Sequence, residues 1–318
     1  MDVLEQVTRR HALVIGSAIA SSQMFQTSAI AQSNRIRQNE RLETAVIGTG
    51  ERGQYLIANL PAAFRVTALC DCSRTQIETV KNPPARFQGL LSRFVEGDLK
   101  TCRYYQDYRR MLEIQNFDAV IISTADHHHA LAAILAMQAG ANVYIEKPLA
   151  VTIGEGRAIV NASKKYRRVV QVGSQQRSMQ VNRTACEFIR GGGLGRVTLV
   201  EERNFPGPMP YIAASYPQEN VPASIDWDLF CGPTPLRKYN KKLWIKDAFD
   251  FGYLRWRGWD LFEDYSGHLM TNWGAHSVDM IQFALGKDAT GQVAINMKRG
   301  LVDAFTDNQW HQKTPPLG

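Results

Sequence analysis

Residues 43–53 read ETAVIGTGERG, an apolar run that breaks into glycines at Gly48, Gly50 and Gly53. The G-x-G-x-x-G spacing stands between a strand-like run and a helix-like one, RGQYLIANL at 52–60. Each glycine has a physical use there. The first permits a tight turn, the second lets backbone approach a pyrophosphate, and the third lets helix and strand pack closely. The helix start then offers free N–H groups and a positive dipole end to phosphate. Glu51 and Arg52 lie inside this turn and belong to the same expected cofactor site. Asp71 closes the next apolar run, FRVTALCD at 64–71, where a carboxylate accepts hydrogen bonds from an adenosine ribose. It favours NAD over NADP, because it would repel a 2′-phosphate. Arg74 stands close by and keeps NADP as the alternative.

Further apolar runs follow at 117–124 (FDAVIIST), 141–147 (ANVYIEK) and 168–174 (RVVQVGS). Helical stretches separate them at 105–113, 129–140 and 152–166. Continuous apolar strands alternating with amphipathic helices predict a parallel sheet covered on both faces. The rhythm changes after 174. A helix is expected over 178–195, a strand over 196–205 (RVTLVEERNF), irregular Pro-rich chain over 206–240 and a helix from near 270.

The run VYIEKPL at 143–149 ends its apolar strand on a carboxylate, an ammonium and a proline. Chain beyond the carboxyl end of a parallel strand opens into the crevice where ligands bind. Desolvation there, beside an oxidised nicotinamide, lowers a lysine pKa from about 10.4 toward neutrality. Such a lysine can exchange a proton with a hydroxyl while hydride leaves the same carbon. On the downstream helix, Asn272, His276 and Asp279 are spaced to share one face. His276 is expected to hydrogen-bond a substrate hydroxyl, with Asp279 orienting its ring. The triple histidine 127–129 is not read as a metal site, since adjacent loop histidines cannot converge on one ion.

Together with VQVGSQQRS (170–178), IDWDLFCGPTP (225–235) and WGAHSVDMIQFALG (273–286), these motifs resemble the glucose–fructose oxidoreductase/inositol dehydrogenase family (Gfo/Idh/MocA). The resemblance covers roughly residues 41–286 and is nearest to an exported bacterial branch. It implies a two-domain α/β protein: a doubly wound Rossmann sheet over 41–173, then a C-terminal α/β open-sheet domain over 174–318. It implies that Lys147 lies beside the nicotinamide and the reacting carbon of a sugar or polyol, with Glu146 on the nicotinamide ribose. Pro148 would follow a cis peptide. Ser123, Thr124, Asp126 and His129 match the loop lining the cofactor, Gln175 and Arg177 the crossover into the second domain, and His276 the active-site histidine. The implied activity is NAD(P)-dependent oxidation or reduction at a CH–OH group. The alternatives are an NAD-dependent glycoside hydrolase of the same fold and an inactive cofactor-binding remnant.

Two departures qualify this. Where many family members carry Asp, this chain has Asn272, an amide that holds neither a proton nor a negative charge. The family's later strands are also expected to be missing after GQVAINMKRG (291–300), so the second domain is read as cut short and the family's homo-oligomer as in doubt.

The remaining bulk features exclude other classes. Net charge is +7, but the basic residues are scattered except for SKKYRR (163–168) and RKYNKK (237–242), and no nucleic-acid-binding motif is present. Residues 1–31 hold Arg9-Arg10, an apolar run Ala12–Ala20 and a small-residue site at Ala29-Ile30-Ala31. That order predicts a twin-arginine signal and a periplasmic destination. The apolar run is too short to span a bilayer, which needs about 20 residues. Residues 32–40 read as a linker. Five cysteines show no metal spacing; Cys70 and Cys72, one residue apart near a strand end, are read as buried small residues, and an exported location would permit one disulfide.

Overall fold

Strands that are apolar on both sides must be covered on both sides, and the central sheet meets that demand. The structure is a computed structural model. It describes residues 41–83, 85–201, 211, 216–244, 249–251, 254–256 and 258–288. The expected signal segment, linker and C-terminal tail lie outside the described residues, as do residues 202–205 of the expected strand.

Six parallel strands form the sheet: β1 (Leu42–Ile47), β2 (Phe64–Cys70), β3 (Arg103–Tyr105), β4 (Ala119–Ile122), β5 (Asn142–Glu146) and β6 (Val170–Gly173). Their spatial order is β3-β2-β1-β4-β5-β6. The order reverses between β1 and β4, which places a crevice at their carboxyl ends. The helices are α1 (Glu51–Ala58), α2 (Arg74–Lys81), α3 (Ala85–Glu96), α4 (Tyr108–Ile114), α5 (His129–Gln138) and α6 (Ile153–Tyr166).

Successive strand residues face opposite sides. Ala45, Ile47, Val120, Ile122, Val143 and Ile145 pack with Met111 of α4, Ala133 and Met137 of α5 and Ile159 of α6. Val46, Val66, Leu69 and Ile121 pack on the other side with Ile57 of α1, Val80 of α2 and Leu91 and Phe94 of α3. The pairing of β1 with β2 slips once, from Thr44↔Val66 to Ala45↔Ala68. That bulge at Thr67 sends Val66 to one face, while Ala68 and Cys70 join the other. Local signals fix the helix starts. Ser73 caps α2, Asp107 caps α4, and Thr152 with Glu155 forms a capping box on α6.

Strand β3 was not anticipated. The expected helix over 105–113 starts only at Tyr108, because Tyr105 completes this edge strand. Its Arg103 and Tyr104 are exposed, so it carries no apolar signature. No strand forms over residues 196–201, the described part of the expected strand 196–205.

Beyond the sheet, α7 (Gln180–Arg190), α8 (Trp227–Cys231), a hairpin of β7 (Phe249–Phe251) with β8 (Leu254–Trp256), and α9 (His268–Ala284) follow. Trp227, Phe230, Tyr239, Leu243, Leu261, Phe262, Tyr265 and Leu269 form a second core. Two histidines tie this core to the sheet domain. His127 Nε2 and His128 Nε2 lie 2.7 Å and 2.8 Å from the Phe230 carbonyl oxygen. At Gly232 (φ +54), a Cβ would stand 2.2 Å from His128 Cε1, so this close approach requires glycine. All five cysteines are free thiols, four of them buried.

Burial pushes His127 down to about 3 and His128 down to about 4. In the unfolded chain both titrate near 6.5. Their contribution to stability is therefore complete above about pH 6.5 and is lost as pH falls toward about 4. Thermal unfolding across this range is expected to show a midpoint that drops with acid. His128→Gln should flatten that slope, and an unchanged slope would contradict the assignment.

Candidate functional site

The crevice at the carboxyl ends of β1 and β4 widens into a cleft of about 580 Å³. It falls in the size range of small-molecule sites. Gly48, Gly50, Glu51, Arg52, Asp71, Ser123 and Thr124 line one part. Asp126, Glu146, Lys147, Gln175, Asn272 and His276 line another.

Each glycine of the turn has its own environment. Gly48 sits at φ +88, and a Cβ there would lie 2.5 Å from the Ser123 carbonyl oxygen. At Gly53 a Cβ would lie 2.1 Å from the Gly48 carbonyl oxygen. Both positions therefore need glycine for packing. At Gly50 a Cβ would meet nothing within 4 Å, so the protein itself does not demand glycine there. A pyrophosphate approaching the start of α1 would. Asp71 stands over this turn. Its Oδ2 accepts from the Thr49 N–H (2.8 Å) and hydroxyl (3.1 Å), and its Oδ1 accepts from the Ser73 N–H (2.9 Å). These residues fit a dinucleotide.

Strand β5 delivers the polar end of the motif. The Lys147–Pro148 peptide is cis. Glu146 is buried and pairs with Arg52 at 2.7 Å, and the Tyr144 hydroxyl donates to it at 3.1 Å. Lys147 Nζ donates to Asn272 Oδ1 at 2.7 Å. Burial lowers the Lys147 pKa, opposed by the charges of Asp126, Asp260 and Glu146. His276 is pushed down to about 4, first by burial and then by the Lys147 charge, so its ring is neutral at pH 7.

The shared face of α9 is real, but its partners differ in part from expectation. Asn272 meets Lys147, and His276 Nε2 lies 3.5 Å from Gln175 Nε2. Asp279 does not orient His276. Both its oxygens accept from Arg177, each at 2.7 Å, and Arg177 also holds Asp288. Arg177 is thus a clamp between the crossover and α9 and does not line the cleft. Arg74 also stays outside, with its Nε donating to Gln106 Oε1 at 3.0 Å. His129 lies beneath the cofactor loop: its Nδ1 contacts the Pro148 carbonyl oxygen at 2.6 Å and its Nε2 the Thr124 carbonyl oxygen at 3.3 Å. It stitches the ends of β4 and β5 together, and burial pushes it down to about 4. His127 and His128 share the Phe230 carbonyl while His129 bonds elsewhere, and among the described residues no cluster could hold a metal ion.

Several cleft residues went unnoticed in the sequence. Trp244, Trp259 and Trp273 line the wall, as does Asp260, which is 5% exposed. Asp260 lies in the one-turn helix Gly258–Leu261, a stretch without helical or strand periodicity. Only the density of aromatic residues in the segment 244–273 hinted at a ligand wall.

Residues 42–174 match the Gfo/Idh/MocA family model described as an oxidoreductase family with an NAD-binding Rossmann fold. Residues 211–313 match the same family's C-terminal alpha/beta domain. The chain belongs to the Gfo/Idh/MocA oxidoreductase family. Its Rossmann domain is accordingly an NAD-binding one, and its second unit is an α/β domain. A glycosyl hydrolase family 109 protein of Solibacter usitatus is 31% identical over 159 residues, 48% of this chain and 34% of that protein. An inositol 2-dehydrogenase of Salmonella typhimurium is 26% identical over 189 residues, 58% of this chain and 50% of that protein. The solved myo-inositol 2-dehydrogenase of Lactobacillus plantarum aligns with a TM-score of 0.42 at 25% identity, covering 50% of this chain and 43% of that one. The chain spans between a third and a half of the length of these curated relatives.

The contrast between two glycines of this Gfo/Idh/MocA turn is testable. Gly50→Ala is expected to leave the thermal midpoint unchanged while weakening NAD binding about tenfold or more, about 1.4 kcal/mol. Gly53→Ala should lower the midpoint itself. Calorimetric titration with NAD and thermal unfolding check both, and equal NAD affinity in Gly50→Ala would contradict a phosphate approach at that position.

Proposed function

We propose that this protein transfers hydride between a carbinol carbon of a polyol or sugar and bound NAD, with Lys147 as the acid/base group. The observation that carries this reading is Lys147 itself. Its ammonium stands at the end of β5 in the cleft, drawn out of water and with its pKa lowered by burial. NAD, when bound, supplies the hydride acceptor. Lys147 in its neutral form takes the hydroxyl proton as the carbinol is oxidised, and its ammonium returns that proton in the reverse direction. Asn272 Oδ1 aims Nζ through the 2.7 Å hydrogen bond. His276, neutral and half-buried, is placed to bind a substrate hydroxyl without adding positive charge beside Lys147. The Trp244, Trp259 and Trp273 rings offer apolar faces that suit the C–H face of a ring-shaped polyol and keep water from the reacting carbon.

The similarity to glycosyl hydrolase family 109 proteins supports a second reading on the same site. There the hydride would be taken and returned within one turnover, with net hydrolysis of a glycoside. Release of nitrophenol from nitrophenyl glycosides without added NAD would favour it.

Lys147→Ala is expected to reduce turnover at least about a hundredfold, in line with loss of a general base, with NAD affinity retained. Steady-state kinetics on any substrate found by screening, beside a titration with NAD, check this. Undiminished turnover would overturn the role of Lys147.

A further inference from the structure

NAD and NADP differ by one phosphate on the adenosine ribose. A Rossmann fold tells them apart near the end of its second strand, where a carboxylate meets the 2′-hydroxyl or a nearby arginine takes the 2′-phosphate. This chain holds both residue types there: Asp71 follows β2, and Arg74 opens α2 three positions later. A guanidinium that reached the ribose would pair with a phosphate through two parallel bonds. Asp71 alone therefore does not settle the choice of cofactor. What holds Arg74 also counts.

Arg74 is held from two directions. Its backbone N–H donates to the Ser224 carbonyl oxygen of the second domain at 2.8 Å. Its Nε donates to Gln106 Oε1 at 3.0 Å. Gln106 follows the edge strand β3 and lines the cleft. Its amide is engaged at both ends, because Nε2 donates to the Cys72 carbonyl oxygen at 2.9 Å. These two partners set the amide's orientation: an acceptor must face the guanidinium and a donor must face the carbonyl. Other donors of this loop are spent as well. The Ser73 N–H donates to Asp71 Oδ1 at 2.9 Å, and the Gln76 N–H to Ser73 Oγ at 3.4 Å. The next residue after Gln106 repeats the arrangement. Asp107 takes the guanidinium of Arg109, another cleft residue, through bonds of 2.9 Å to Oδ1 and 2.8 Å to Oδ2.

We propose that Gln106 is a specificity-determining residue for the cofactor: it holds the Arg74 guanidinium outside the cleft, so that the site at Asp71 takes the unphosphorylated ribose of NAD and rejects the 2′-phosphate of NADP. Asp71 supplies the repulsion. Gln106 withholds the cation that would offset it, and Asp107 withholds a second cation in Arg109. The end of the short edge strand β3 thus sets which dinucleotide is accepted. The inference needs only cofactor binding and stands apart from the chemistry proposed for Lys147.

Calorimetric titration of the full chain with NAD and with NADP tests this without a substrate. Each variant is read as the ratio of its NADP to its NAD dissociation constant, with thermal unfolding as the check on folding. The unaltered chain is expected to favour NAD at least about a hundredfold. Gln106→Leu frees the Arg74 side chain, while the Cys72 carbonyl keeps its bond from the Asp226 N–H at 2.9 Å. The ratio should then fall about tenfold, as a phosphate gains a guanidinium. Adding Arg74→Ala to Gln106→Leu should restore it. An unchanged ratio in Gln106→Leu, or a fall that persists in the double variant, would overturn the proposal. Arg74→Ala in the otherwise unaltered chain gives a second readout should Gln106→Leu not fold. Its ratio is expected to stay within about twofold of the unaltered chain. A several-fold rise would show that Arg74 already meets the 2′-phosphate and would overturn the role of Gln106.

Discussion

Glu146 and Lys147 carry charge into the interior at the carboxyl-terminal edge of the sheet. Between its ends both faces of the sheet are covered by α1 to α6, and an ion there would lose its hydration without recompense. The strand order reverses between β1 and β4, so the carboxyl ends of β1, β2, β4 and β5 open on a common crevice. Each strand ends there on a glycine or a polar group: Gly48 after β1, Asp71 after β2, Ser123 after β4, and Glu146 with Lys147 at β5. The ammonium of Lys147 is the most exacting of these. Asn272 accepts from it at 2.7 Å, the charges of Asp126 and Asp260 oppose the lowering of its pKa by burial, and Arg52 is paired with Glu146.

The second domain completes the site and does not merely flank it. Two histidines of the sheet domain share the Phe230 carbonyl, and Arg177 clamps α9 through Asp279. These contacts fix the face of α9 that presents Asn272 and His276. They are buried or partly buried, and each joins residues about a hundred positions apart in the chain. The cleft therefore depends on the docking of the two units as much as on the glycine turn.

That dependence also marks where the sequence could be read and where it could not. Strands β1, β2, β4 and β5 were legible because burial on both faces leaves an apolar run, and the edge strand β6 because Val170 and Val172 stand on either side of an exposed Gln171. The edge strand β3 was not, since Arg103 and Tyr104 face solvent. The helical spacing of Asn272, His276 and Asp279 revealed a common face, but not that Arg177 would claim the carboxylate. Periodicity reports which side of a helix is shared and is silent on which distant group arrives there. The sequence points to His129 as a cofactor-loop residue, and its ring bonds the Pro148 and Thr124 carbonyls; a ring beneath a loop and a ring lining it have the same sequence neighbourhood. Asp260 was invisible for a related reason: among Asp260, Glu263 and Asp264, nothing local says which acid is buried.

The central claim is that the end of β5 brings a polyol or sugar carbinol against bound NAD. Deuterium transfer measures this most directly. The purified protein would be given NAD and a panel of polyols and sugars carrying deuterium on their carbinol carbons, and the cofactor then examined by mass spectrometry. The account predicts deuterium on the nicotinamide ring with at least one member of the panel, and its loss in Lys147→Ala. Tight NAD binding with no deuterium transferred from any of them would contradict it.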